Sequence, residues 1–187
     1  MLGLAFAATL AAELALGALL IVSWIDPSRR VWPPPERDSW QYRCVWVLTD
    51  ATVIGVLAVG ILDWNTFALS HWVRIPIGGG LALAGTGLAL WGVRTLGVHR
   101  TLGLKQAFLE AGPYRFTRNP QYVGDIALLV GWAIACNSLQ TWIVSLLGAA
   151  WFALAPFTEE PWLREQYGAT YEAYRRRRPR YFGLGQP

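Results

Sequence analysis

Apolar stretches long enough to cross a bilayer alternate with short, arginine-bearing polar ones along the 187 residues. The first, Leu2 to Ile25, contains a single charge, Glu13, and at helical rise it exceeds the roughly 30 Å of a hydrocarbon core. No basic residue precedes it, so it is predicted to be a membrane helix rather than a cleaved leader. Asp26 and Pro27 end it, and Pro33, Pro34 and Pro35 make the stretch from Asp26 to Arg43 a polar, partly extended loop. Val45 to Leu62 is a second segment. Ile75 to Val93 is a third, and its small residues Gly78, Gly79, Gly80, Ala84, Gly85 and Gly87 suit close helix contact in lipid. A hydrophilic stretch from Arg94 to Gln121 leads to two shorter segments, Tyr122 to Cys136 and Leu139 to Pro156, separated by Asn137 and Ser138. They predict a helical hairpin of roughly 22 to 27 Å per arm, short enough to leave room for a cavity. Beyond Pro156, Glu160, Leu163, Tyr167, Tyr171, Tyr174 and Arg178 recur every three or four residues and predict one face of a tail helix that begins at Glu159 and Glu160.

The expected fold is therefore all-α: a polytopic membrane protein of about five transmembrane segments, the last two a short helical hairpin, followed by a cytoplasmic C-terminal helix. A single domain is expected, with three transmembrane helices in residues 1–93 and a loop, the hairpin and the tail helix in 94–187.

Composition supports the membrane class: 54% of residues are hydrophobic and 15% charged, where soluble domains carry about a quarter charged residues. The net charge of +4 does not point to nucleic acid, because the basic residues stand in loops beside apolar runs. All of the 16 basic residues but Arg74 fall in alternate loops or the tail, which predicts an outer N-terminus and a cytoplasmic C-terminus, with membrane lipids as the neighbours. Trp24, Trp46, Trp64, Trp72 and Trp91 lie near segment ends, as interfacial indoles do. Cys44 and Cys136 are too far apart to suggest a disulfide framework or a metal site, and are expected to be free thiols without a catalytic role. Glu13 and Asp50 are two ionisable residues within the first two apolar runs; helix-to-helix hydrogen bonding or snorkelling accounts for them, and both are left outside the expected active site.

The polar residues that topology does not require cluster at Gly112 to Asp125 and Glu159 to Tyr181. In the first cluster, two proline-containing turns stiffen a loop that enters a helix, whose starting amides favour an anionic group. Arg115 and Arg118 there either anchor the helix at lipid headgroups or bind a ligand. In the second, Glu159 and Glu160 either stabilise a helix start through its dipole or hold an ammonium group.

Five short motifs follow in order: Gly112-Pro113-Tyr114; Arg118-Asn119-Pro120-Gln121-Tyr122-Val123-Gly124; Glu159-Glu160-Pro161-Trp162-Leu163; Tyr167-Gly168-Ala169-Thr170-Tyr171-Glu172-Ala173-Tyr174; and Arg177-Arg178-Pro179-Arg180-Tyr181. Over roughly the last 80 residues this resembles the isoprenylcysteine carboxyl methyltransferases and phospholipid N-methyltransferases, a family of integral membrane enzymes. The resemblance implies S-adenosylmethionine as cofactor and a lipophilic substrate entering from the bilayer, with no metal and no obligate protein partner. It implies a cofactor site at Gly112, Pro113, Tyr114, Arg118, Asn119, Pro120, Tyr122, Gly124, Glu159, Glu160 and Tyr171. Glu160 is expected to hold the cofactor ammonium, Arg118 and Asn119 its polar end, and Arg177 the substrate, so that Glu160 and Arg177 are the expected catalytic pair. Asn119 stands where the family has His, Tyr167 where it has Phe, and Arg178 where it has Val; Asn119 cannot exchange a proton near neutral pH. A carboxylate and an amine acceptor both remain open. The rival readings are a membrane reductase of the sterol-reductase type and a small transporter, although no inverted repeat supports the latter. A bacterial inner membrane is the expected setting.

Overall fold

Backbone amides have no water to bond in hydrocarbon, so long apolar segments satisfy themselves as helices. In the computed structural model, which describes residues 1–67, 69–97, 101–102, 104 and 109–182, they do so as α1 (Leu2–Ile25), α2 (Trp40–Leu62), α3 (His71–Leu96), α4 (Pro120–Cys136) and α5 (Leu139–Tyr167). A short α6 (Ala169–Arg177) follows, and 3₁₀ turns lie at Pro27–Arg29 and Gly112–Arg115. Four of these helices, α1, α2, α3 and α5, are long and apolar enough to span a membrane, and α4 is a shorter apolar helix. Arg100 and Lys105, counted above among the loop cations, lie outside the described residues.

Several boundaries differ from expectation. α2 starts five residues before the apolar run and is capped by Ser39, whose Oγ accepts from the Tyr42 amide at 3.1 Å. Arg74 is not a loop residue. It sits inside α3, 3% exposed, donating to the Ala135 carbonyl at the end of α4 with its guanidinium 4.9 Å from the Trp64 ring. A cation there complements both the unpaired carbonyls and the dipole of that helix end.

The last apolar helix does not stop at Pro156 as expected; α5 runs through Pro156 and Pro161 to Tyr167 and is 29 residues long. Each proline removes one backbone donor, the one that would serve the carbonyl four residues back, and a helix packed in a bundle tolerates that loss. Nearby, Thr158 donates to the Ala155 carbonyl at 2.8 Å and Tyr181 to the Ala153 carbonyl. Only α4 is a short arm of the hairpin. Glu159 and Glu160 consequently lie well inside a helix rather than at a helix start, which removes the dipole explanation for them. The predicted tail face is also divided: Gly168, at φ 51° and ψ −127°, breaks the chain between α5 and α6 in a region of backbone space that needs glycine.

The proline-rich loop is more than a polar connector. Ser23 Oγ accepts from the amides of Val31 at 2.9 Å and Trp32 at 3.1 Å, folding the loop back onto α1. Trp32 thereby joins Leu16, Leu20, Val45 and Ala155 in a buried cluster.

The closest helix pair is α3 with α4. A side chain at Gly85 would strike the backbone of Gly124 and Leu128, and one at Gly124 would strike Ala89 and Gly85. Gly78 and Gly131 repeat the arrangement one step along the antiparallel pair. Glycines seven residues apart on each helix thus let the two backbones touch, which supplies dispersion contact where lipid offers no hydrophobic drive. At the hairpin turn Asn137 adopts the left-handed conformation at φ 53°, and Ser138 caps α5 by accepting from the Thr141 amide at 3.1 Å.

Candidate functional site

The proline loop, the first two helices and the hairpin enclose a cavity of about 240 Å³ that opens between apolar walls. Its deep end is lined by Val53 and Val56 of α2, Leu129 of α4 and Leu147 of α5. Its other end is polar, with Tyr114, Arg118, Tyr122, Glu159, Glu160 and Tyr171 in the wall.

Three charges organise the polar end. Arg118, 6% exposed, places Nη1 3.1 Å from Glu160 Oε1. Arg180 reaches the same carboxylate from the other side with both branches, Nε to Oε1 at 2.7 Å and Nη2 to Oε2 at 2.9 Å. Its guanidinium also lies 4.0 Å from the Phe157 ring centre. The forked geometry of arginine suits such a two-oxygen grip, and the hydrogen bond to Glu160 raises the Arg180 pKa above its ordinary value.

Arg180 is held by the segment that carries it. After α6 the chain returns over the Gly112–Tyr122 loop: the Arg118 amide donates to the Pro179 carbonyl at 2.9 Å, and Thr117 Oγ1 and Asn119 Nδ2 donate to the Arg180 carbonyl at 2.9 and 3.0 Å. Tyr174 donates its hydroxyl to the Tyr114 carbonyl at 2.8 Å. This strap spans Arg178 to Tyr181. Burial raises the pKa of the Tyr114, Tyr171 and Tyr174 hydroxyls, and pushes Tyr181 up to about 12, so these hydroxyls stay protonated donors at neutral pH.

Glu159 has different company. Trp32 Nε1 donates to its Oε1 at 2.6 Å, and the Tyr122 hydroxyl donates to the same oxygen. Both partners are neutral. Tyr122 in turn stacks within an aromatic group formed with Trp151 and Phe152.

The residues expected from sequence therefore divide. Tyr114, Arg118, Asn119, Tyr122, Glu159, Glu160 and Tyr171 converge on one cavity. Gly112, Pro113 and Pro120 shape the loop without lining it: Gly112 takes φ 53° and Pro120 opens α4 at the position where its missing amide costs nothing. Gly124 faces α3 in the glycine seam and is not brought to the cavity. Arg177 is likewise elsewhere, 58% exposed and paired with Glu110 at 2.8 Å, with Arg178 on the same carboxylate at 3.4 Å. Sequence reasoning passed over Arg180, which stood within a quoted motif, and Trp32, which looked like a loop residue. Glu13 also lines the cavity, whereas Asp50 is exposed and does not. Cys44 and Cys136 are free.

The polar end fits an amino-acid cofactor. Arg118 Nε is buried and has no hydrogen-bond partner among the described residues, so a donor remains for a carboxylate. Glu159, which has no arginine or lysine paired to it among the described residues, retains attraction for an ammonium.

The phospholipid methyltransferase family model matches residues 73–170, a stretch that runs from α3 through α4 and α5 to the start of α6. Among curated proteins, phosphatidylethanolamine N-methyltransferase B of Dictyostelium discoideum is 29% identical over 98 residues, 49% of this chain and 49% of that one. The chain thus spans about half the length of the curated relative it matches. No solved structure matches the chain.

Proposed function

This chain belongs to the phospholipid methyltransferase family, whose members use S-adenosylmethionine, and from that premise we propose that it methylates the amine of a membrane lipid, with a phospholipid amine as the leading candidate. The observation that carries the reading is the cavity itself: the Gly112–Tyr122 loop and the Glu159-Glu160 pair, both within the family match, wall its polar end, while its other end is apolar.

Bound there, S-adenosylmethionine supplies a methyl group already activated by a sulfonium leaving group. The protein then has to hold, orient and dry the reactants. Arg118, through its uncommitted Nε, would take the cofactor carboxylate. Glu159 would face a cationic amine, whether that of the cofactor or that of the acceptor. Glu160, engaged by Arg118 and Arg180, acts as a positioning residue: it fixes Arg118 and ties the strap to α5. That replaces the direct ammonium contact expected of it from sequence. Arg177, outside the cavity, has no part in this scheme. Tyr122, Trp151 and Phe152 would exclude water from the transfer.

The same reading puts the strap and the cofactor end on the cytoplasmic side of a multi-pass membrane protein, with the N-terminus outside, because the basic residues gather there. The family places the reductase and transporter readings behind this one.

The test is methyl transfer from labelled S-adenosylmethionine to vesicles of phosphatidylethanolamine carrying the purified protein. Label recovered as an N-methylated lipid is the expected result; a folded protein that labels no lipid amine would overturn the proposal.

A further inference from the structure

Glu13 lies near the middle of α1 and is 7% exposed, and neither of its carboxyl oxygens has a hydrogen-bond partner among the described residues. A carboxyl group in hydrocarbon is costly to insert, so one left without a partner calls for another explanation than packing. It lines the cavity at its deep end, beside Gly148 and Leu129: a methyl group built on Gly148 would lie 3.4 Å from Glu13 Oε1 and 3.2 Å from Leu129 Cδ1. Another buried polar atom of the cavity lining, Thr52 Oγ1 of α2, likewise lacks a partner among the described residues. No lysine, arginine or histidine accompanies them among the described residues of the deep wall; Arg118 belongs to the far end.

The cavity therefore has two polar poles. From Gly148, beside Glu13, to Glu159 the helix α5 rises about 16 Å, and the wall between is made largely of Leu16, Val45, Trp151 and Phe152. We propose that Glu13, with Thr52, is a second recognition point for the lipid acceptor, binding a hydroxyl or amide N–H borne on its apolar tail about 16 Å from the methylated amine. The proposal rests on the lipid-amine reading above and narrows it: a lipid with plain hydrocarbon tails would leave the carboxyl unpartnered, and a tail with one donor at that depth satisfies it. A carboxyl oxygen accepts from such a donor, and the Thr52 hydroxyl can both donate and accept. α1 and α2 lie outside the family match, so this pole distinguishes the chain from what the matched region shares with its relatives.

At roughly 1.2 Å per extended chain atom, 16 Å corresponds to about thirteen atoms. Two probes follow: a saturated primary amine of about twelve carbons, and the same amine with a hydroxyl on its far end. Their affinities are measured by calorimetric titration into the detergent-purified full chain, for wild type, Glu13→Leu and Glu13→Gln. The wild type is expected to bind the hydroxylated amine about ten-fold more tightly than the plain one, since a site built around a buried polar group discriminates against a ligand that leaves it unpaired. Glu13→Leu should lose the preference while still binding the plain amine, and Glu13→Gln should keep most of it. Equal affinities in wild type, or a preference that survives in Glu13→Leu, would overturn the role of Glu13 and leave the lipid-amine reading standing. A wild type that binds neither amine would overturn that reading and this inference together.

Discussion

Along α3 and α4 two backbones meet with almost no side chain between them, whereas at the polar end of the cavity the chain is joined through long charged side chains reaching across gaps. The seam rests on Gly78, Gly85, Gly124 and Gly131, where any added carbon meets main chain. The polar end rests on Arg118, Glu160 and Arg180, whose atoms could be replaced sterically but not electrically. The two regions meet in α4: Gly124 faces the seam, and Tyr122, on the opposite side of the same turn, faces the cavity. A rigid, side-chain-free seam therefore fixes the loop that carries Arg118, while the strap closes that loop by pairing. The seam should fail through volume and the polar end through charge.

The largest effect is expected at the polar end. Glu160→Ala leaves the Arg118 guanidinium buried without its counter-charge, which costs about 3–5 kcal/mol, and thermal unfolding in detergent should show a large fall. Glu160→Gln, which keeps the volume, should fall nearly as far; a near-native midpoint would mean that charge does not hold this end. In the seam, Gly124→Val keeps charge unchanged and should cost about 1–3 kcal/mol or more by forcing α3 and α4 apart, with Gly124→Ala intermediate. An unaffected Gly124→Val would deny the backbone contact.

Asn137→Ala sharpens the contrast at the far end of α4. The Asn137 side chain donates to Asn65 Oδ1 and the Phe67 carbonyl, each at 2.9 Å, and accepts from the Leu69 amide at 3.2 Å. Its loss should cost about 2 kcal/mol, combining a strained left-handed backbone with orphaned partners, and should leave cofactor affinity unchanged. Loss of cofactor binding in an otherwise folded Asn137→Ala would show that the two ends are not independent.

The smallest effect belongs to Glu172, on the elbow between α5 and α6, where Arg175 bonds its carboxylate at 3.0 Å and Arg164 lies at 2.8 Å. The hydrogen bond from Arg175 holds the Glu172 pKa below its ordinary value. A depressed carboxylate contributes stability that is present above its unfolded pKa and lost as pH falls through the folded one. The small difference in midpoint between wild type and Glu172→Gln should therefore be present at neutral pH, vanish on acidification and shrink in high salt. A difference that persists in acid would assign Glu172 another role.

Much of the helical frame was legible because apolar length is a local property: α1 has the bounds that its run implies, and the hairpin turn falls at Asn137 and Ser138. Proline misled at α5, since its helix-stopping force is that of an isolated helix, whereas α5 packs against α1, α2 and α4. The glycines seven apart were visible as small residues suited to helix contact, but which helix met which depends on tertiary packing. The motif residues Arg118, Tyr122, Glu159 and Glu160 were legible as a group; their partners were not. Trp32 lies more than a hundred residues before Glu159, and Arg180 sits among several arginines of which sequence favoured Arg177. Glu13 was conspicuous as a lone carboxylate in an apolar run, yet only the folded cavity shows that it faces inward.

The central claim is that the polar end of this cavity holds S-adenosylmethionine through Arg118. It is tested most directly by binding of labelled S-adenosylmethionine to the detergent-purified full chain, comparing wild type with Arg118→Leu, in which Glu160 still has Arg180 for a partner. Saturable binding by wild type that is lost in a folded Arg118→Leu is the predicted result. A folded wild type that binds none, or an Arg118→Leu that binds as tightly as wild type, would contradict the account.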